Sequence, residues 1–197
     1  MRKISAVCLF VITVAALSSP ARGWDGERKG FVLNLGVGLA DATYKQLLSS
    51  MQGNATSERE SKAAFLTNFE IGYAPSNQVM ILYSNVVPWF KFKNVFNSEI
   101  TMISGVGGLT FAYFFRPQAP SFFVGGGLGL ASWSAPFENN SDSWTSLGFL
   151  AKAGYEIGRN VNLTFHLLGG SPSKTVYGVT GKTNTFSAGV TINWMGY

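Results

Sequence analysis

From Lys29 onward the chain is organised by an alternation of period two, repeated in eight separate segments. Such a period marks a β-strand whose two faces meet different surroundings. In the first segment Phe31, Leu33, Leu35, Val37 and Leu39 share one face, and Asn34, Gly36, Gly38 and Ala40 share the other. The second sets Phe65, Phe69, Ile71 and Tyr73 against Asn68, Glu70, Gly72 and Ala74, and Val79, Ile81 and Tyr83 open a third that runs to about Val87. A fourth covers roughly 98–115, with Ile103, Leu109, Phe111, Tyr113 and Phe115 on one face. The fifth sets Phe122, Val124, Leu128 and Leu130 against Gly125, Gly127, Gly129 and Ala131. In the sixth, Leu147, Phe149, Ala151, Ala153, Tyr155 and Ile157 oppose Gly148, Lys152, Gly154 and Glu156. The seventh places Val161, Leu163, Phe165 and Leu167 opposite Asn162, Thr164 and His166. The eighth places Phe186, Ala188, Val190, Ile192 and Trp194 opposite Ser187, Gly189, Thr191 and Asn193.

The connections alternate as well. Short turns fall at 75–77, 116–120 and 158–160, while links at about 43–61, 88–97, 134–143 and 171–183 are longer and polar. Long loops on one side and short turns on the other define the layout of an outer-membrane barrel, and an even strand count puts both ends on the short-turn, periplasmic side.

The competing architecture is a secreted, soluble barrel of the lipocalin kind, with its apolar face turned inward to a ligand. Its outer face would then have to satisfy water. Here the second face is mostly Gly, Ala, Ser, Thr and Asn, with Glu70, Lys152 and Glu156 as its charges in the strand centres. Small residues suit the inside of a narrow barrel, and bulky Leu, Phe, Val and Ile suit lipid. Charge makes up 13% of the chain, against about 25% in an ordinary soluble domain. Aromatics complete the pattern as expected interfacial girdles: Tyr73, Phe115, Phe122, Tyr155 and Trp194 at the short-turn end, Trp89, Phe90, Trp133 and Trp144 at the other.

The first 23 residues read as a cleaved signal peptide. Arg2 and Lys3 lead an uncharged run from Ile4 to Leu17, and Ala21 and Gly23 suit a cut before Trp24, with a cut after Ala21 as the alternative. The run is too short for a spanning helix. Cys8 lies inside it without a lipobox, so residues 24–197, one barrel domain, hold no cysteine for a disulfide or thiolate site. Those residues carry 12 basic and 10 acidic side chains, a net of +2. That balance gives no support to a nucleic-acid partner.

Signal, eight alternating segments, loop asymmetry and the closing run from Phe186 to Trp194 together resemble the OmpA/OmpX-type family of eight-stranded outer-membrane β-barrels. The resemblance implies insertion by the barrel assembly machinery, which reads an aromatic-ended last strand, and surroundings of outer-membrane lipid and lipopolysaccharide. Trp194 is the in-phase aromatic, and Tyr197 is off phase unless the chain bends near Gly196. No globular domain follows the barrel in this sequence, so peptidoglycan anchoring is not expected.

The polar candidates are Glu70, Lys152, Glu156 and His166, all on the expected lumen face. If the turn at 158–160 pairs Ile157 with Val161, Lys152 faces His166 and Glu156 faces Asn162. The expected role is a structural, salt-bridged plug, because enclosed charges require partners. The alternative is a lipid A-modifying hydrolase or transferase, which needs a Ser–His–acid set. His166 is the only histidine and Leu167-Leu168 follow it, with no serine two residues on; Ser171 and Ser173 read as loop residues. Glycine runs at 105–108 and 125–127 lie inside strands and cradle no phosphate. Asn139-Asn140-Ser141 matches a glycosylation triplet that means little in a bacterial protein, and residues 57–62 read as a charge-mixed loop tip. No catalytic, cofactor or metal site is expected. The expected function is non-enzymatic: a monomer acting as structural support or in surface recognition through its long loops, with a conducting pore less favoured at eight strands.

Overall fold

The computed structural model describes residues 27–50, 53–93, 98–138 and 143–197. The expected signal peptide and the Asn139 triplet lie outside these residues. The described chain is all β: β1 Gly30–Ser50, β2 Gly53–Thr56, β3 Glu60–Ser76, β4 Val79–Lys93, β5 Glu99–Phe114, β6 Ser121–Ser134, β7 Trp144–Gly158, β8 Val161–Gly170, β9 Ser173–Val176 and β10 Val179–Gly196.

Eight of the ten strands form a ring. Each pairs antiparallel with its sequence neighbour in the wall, and β1 pairs with both β3 and β10, which leaves the wall without a free edge. The stagger can be read by stepping across the ladder. Leu33 leads to Ile71, Tyr83, Leu109, Leu128, Phe149, Gly169 and Phe186, and from there back to β1 at Thr43. One circuit therefore climbs from position 33 to position 43 of the same strand, the tilt that lets eight strands close around filled space. The ladder breaks between Val86↔Val106 and Trp89↔Ile103, where Pro88 offers no N–H.

The alternation is realised as expected. Phe31, Leu35, Val37 and Leu39 on β1, Leu128 and Leu130 on β6, and Leu163 and Phe165 on β8 are exposed on the outside. On the opposite face of the wall Asn34, Glu70, Lys152, Thr164 and Thr191 are buried within. An exterior of this chemistry, closed so that every wall strand has partners on both sides, is a solution for hydrocarbon and not for water.

Three expectations about connections are corrected, the first being the link at about 88–97, where β4 runs on to Lys93. The links at 43–61 and 171–183 are mostly strand: β1 runs on to Ser50 and turns back through β2, and β9 forms a hairpin with the start of β10. Apolar alternation fades there because a ribbon above the bilayer meets water on its outer side. The backbone ladder continues regardless. The β9–β10 hairpin turns at Tyr177 and Gly178, whose φ values of 49° and 80° make the two-residue turn that matches strand twist.

Large side chains also fill much of the inside. Val32, Met80, Leu82, Phe114 and Phe123 pack together near the short turns. Leu66, Val86, Val106, Leu150 and Leu168 form a cluster higher up. Tyr44, Phe90, Met102 and Trp133 close the long-hairpin end. The expected outer girdle at that end is therefore corrected. Phe90 and Trp133 are each 4% exposed and point inward, in phase with Val86 and Ala131 on their strands. Trp144 packs against the same inner cluster, and Trp89 lies outside against Phe137.

Candidate functional site

The lumen is where the sequence-derived polar residues meet. β3 brings in Glu70, β7 brings Lys152 and Glu156, and β8 brings His166, each at an inward position of its alternation. All four are buried. Lys152 stands opposite His166 and Glu156 opposite Asn162 in the ladder, as expected. The route to that register differs from the expectation. Gly158, not Ile157, pairs with Val161, and an irregularity between Glu156 and Gly158 takes up the extra residue.

Two ion pairs organise the interior. Lys152 Nζ lies 2.5 Å from Glu70 Oε1. Glu70 also accepts from Asn34 Nδ2 at 2.8 Å and from Ser84 Oγ at 3.0 Å, and Ser84 shares a 2.6 Å contact with Thr110 Oγ1. The second pair, Arg28 with Glu156, sits at the short-turn end. Arg28 Nη1 donates to the carbonyls of Asn77 at 2.8 Å and Arg116 at 2.7 Å, and its guanidinium lies 4.3 Å from the centre of the Phe114 ring. The sequence reading missed Arg28. The signal that could have found it is charge balance: two lumen carboxylates faced a single lysine.

Tyr197 completes this end. Its ring is buried and its hydroxyl donates to Glu156 Oε1 at 2.9 Å, while Trp194 stays on the outside.

His166 belongs to a separate network. Its Nε2 lies 2.8 Å from Thr191 Oγ1, which donates to Asn193 Oδ1 at 3.0 Å. Asn193 Nδ2 in turn donates to Asn162 Oδ1 at 2.8 Å and Thr164 Oγ1 at 3.0 Å, and Asn68 Nδ2 donates to Asn193 Oδ1 at 2.9 Å. A hydroxyl beside a histidine is two-thirds of a nucleophile set. Among the described residues, however, Nδ1 of His166 has no hydrogen-bond partner, so no acid orients the ring. Thr191 is fully buried, with no opening toward lipid or solvent for a substrate carbonyl. Among the described residues no group of three or more His, Cys, Asp or Glu side chains could hold a metal ion.

Above the membrane the polar chemistry is shallower. Tyr44 donates to Glu60 at 2.8 Å, and Lys62 lies 3.1 Å from the same carboxylate. The Tyr44 hydrogen bond, with Lys62 beside it, holds the Glu60 carboxyl below its usual range.

No family model matches the chain, and no curated protein matches it. Solved structures do. The chain is similar to the outer membrane protein OprG from Pseudomonas aeruginosa, at 9% identity over 86% of this chain and 97% of that one, with a TM-score of 0.50. It is also similar to Neisserial surface protein A, at 22% identity over 83% and 97%, with a TM-score of 0.44. A third is Ail, the attachment invasion locus protein of Yersinia pestis, at 15% identity over 84% and 99%, with a TM-score of 0.32. The likeness to OprG is one of fold. Ring closure, an apolar exterior and a filled interior define the class: this chain is a small outer-membrane β-barrel, of the architecture expected from the OmpA/OmpX-type resemblance. It is accordingly a protein of the outer membrane.

Proposed function

We propose that this chain is a non-conducting, non-enzymatic barrel that works through the hairpins it raises above the outer membrane. Glu70, Lys152, Glu156 and His166 then hold the wall in register and perform no chemistry. The observation that carries this reading is the end-to-end filling of the lumen. The Arg28–Glu156–Tyr197 group lies at one end, the Glu70 and His166 networks in the middle, and the Tyr44–Phe90–Trp133 ring cluster at the other. The interior of an eight-stranded barrel is about wide enough for such side chains to fill.

The hairpins supply what the lumen does not. At the β9–β10 tip Tyr177 is fully exposed, with Val176 and Val179 exposed on either side of the turn. An aromatic tip on a polar stalk has the composition of a contact surface. Lipopolysaccharide and outer-membrane lipid are the surroundings in this reading, and the barrel assembly machinery is the route in.

Three measurements test it. Purified chain reconstituted in planar bilayers should give no stepwise conductance, and reproducible open steps would refute the filled-lumen reading. His166→Ala should leave the lipid A mass spectrum of expressing cells unchanged, whereas a mass shift that depends on His166 would restore the enzyme. With Cys8→Ser, a cysteine placed by Tyr177→Cys should react with an impermeant maleimide on intact cells. Reaction only after lysis would put the hairpin on the wrong side.

A further inference from the structure

Among the described residues, the lipid-facing wall carries an amide near mid-depth that the chain leaves unsatisfied. Asn85 lies on β4 between Tyr83 and Val87, opposite Phe69 on β3 and Gly107 on β5. It is exposed on the outside, while its neighbours Ser84 and Val86 are buried. It lies six positions along the strand from Val79 at the short-turn end and six from Lys91, the first charge above the belt. At about 3.3 Å per residue and a tilt of roughly 45°, that puts Asn85 near mid-depth.

Two other polar side chains on the outer wall, Thr67 and Asp41, are satisfied within it. Thr67 Oγ1 accepts from Trp89 Nε1 at 2.9 Å and donates to the Val87 carbonyl at 3.3 Å. The Asp41 carboxylate, near the upper rim, accepts from Thr43 at 3.3 Å and from Ser61. The Asn85 amide has no hydrogen-bond partner among the described residues, and hydrocarbon provides none. Beside it the wall is indented. A Cβ on Gly107 would lie 3.0 Å from the Tyr83 hydroxyl and 3.3 Å from Asn85 Oδ1, so the tips of both polar side chains gather over a residue that has no side chain.

We propose that this β3–β5 wall is a pairing surface for a second copy of the chain, with Asn85 on or beside the twofold axis. The occupant follows from the chemistry of the group. A primary amide carries donors and an acceptor together, so it complements itself. A twofold axis brings the same patch of two copies face to face. Gly107 allows the backbones to approach, as small residues do at contacts within a bilayer. The pairing departs from the monomer expected from sequence and does not depend on the role of the hairpins.

The test uses folded full barrel in phosphatidylcholine vesicles, with Cys8→Ser throughout. With Phe69→Cys, beside Asn85, a short bis-maleimide should produce a band of twice the chain mass. Phe165→Cys, on β8 across the barrel, should stay single. Adding Asn85→Leu to the Phe69→Cys chain should cut the crosslinked fraction about fivefold or more, the scale of an amide contact in a bilayer. Gly107→Leu should do the same by filling the notch, and Asn85→Gln should retain most of the pair. Leucine on a lipid face does not threaten folding, and the heat-dependent gel shift of each variant verifies it. A wild-type wall that never crosslinks overturns the proposal, and so does a pair indifferent to Asn85→Leu. Crosslinking in native membranes to a protein of another mass, without the double-mass band, would also overturn it.

Discussion

Glu70 receives Lys152, Asn34 and Ser84 in a space closed to bulk solvent, so its charge and that of Lys152 depend on each other. Glu70→Gln keeps the shape and strands the ammonium. Breaking a buried pair from one side costs about 3–5 kcal/mol. Urea unfolding in vesicles should show a loss of that order, and Glu70→Leu with Lys152→Met should recover most of it. A loss below about 1 kcal/mol, the scale of an exposed pair, would mean that water reaches Lys152. Gly36→Ala probes the opposite limit, crowding. Its Cβ would fall 1.7 Å from Asn193 Oδ1, at the hub that ties Asn68, Asn162 and Thr164 together. An overpacking loss of about 1–3 kcal/mol is expected by the same assay.

The four lumen candidates were legible because each sits inside a strand whose phase was plain. Arg28 was not. It precedes the first strand, where no period exists, and its partners come from two turns and β7, brought together only by closure.

Each strand reports its depth through its outward residues. On β6, Leu128 and Ser132 share the outer face four residues apart, the first within the apolar belt and the second at its upper limit. Arginine at mid-depth on a lipid face costs about 2–4 kcal/mol, falling to about 0–1 near the interface. Leu128→Arg should therefore destabilise the barrel in vesicles by clearly more than Ser132→Arg. Equal losses, or the reverse order, would contradict the assigned membrane position. The eight membrane strands could be read from sequence because lipid outside and a packed lumen inside impose a contrast on every second residue. Strand beyond the rim could not. Between 43 and 61 both faces of the ribbon are largely polar, so hydropathy lost sight of a ladder that hydrogen bonds still maintain. The large inward residues were overlooked for a related reason. Met80, Leu82 and Phe90 make the inner face of β4 as apolar as the outer, and a run apolar on both faces has no visible period.

As a whole, the molecule should behave as one cooperative unit. Folded chain in mild detergent should migrate differently on a gel before and after boiling, because the closed wall resists the detergent until heated. Recovery from a periplasmic extract without detergent would contradict the membrane assignment.

The seam between β1 and β10 runs unbroken from Leu33↔Gly196 to Ser49↔Thr180 and joins segments from opposite ends of the chain. Every other wall pairing joins neighbours in sequence and can form locally. This one requires the longest loop closure in the molecule, with the entropy loss and slow kinetics that such contacts bring. Until it forms, two strands present open edges, which hydrocarbon cannot accommodate and which in water invite aggregation. A partly made barrel is therefore a hazard and not a smaller version of the finished one. The last strand acts as a latch, and whatever escorts this chain to the membrane must shield both edges until it closes.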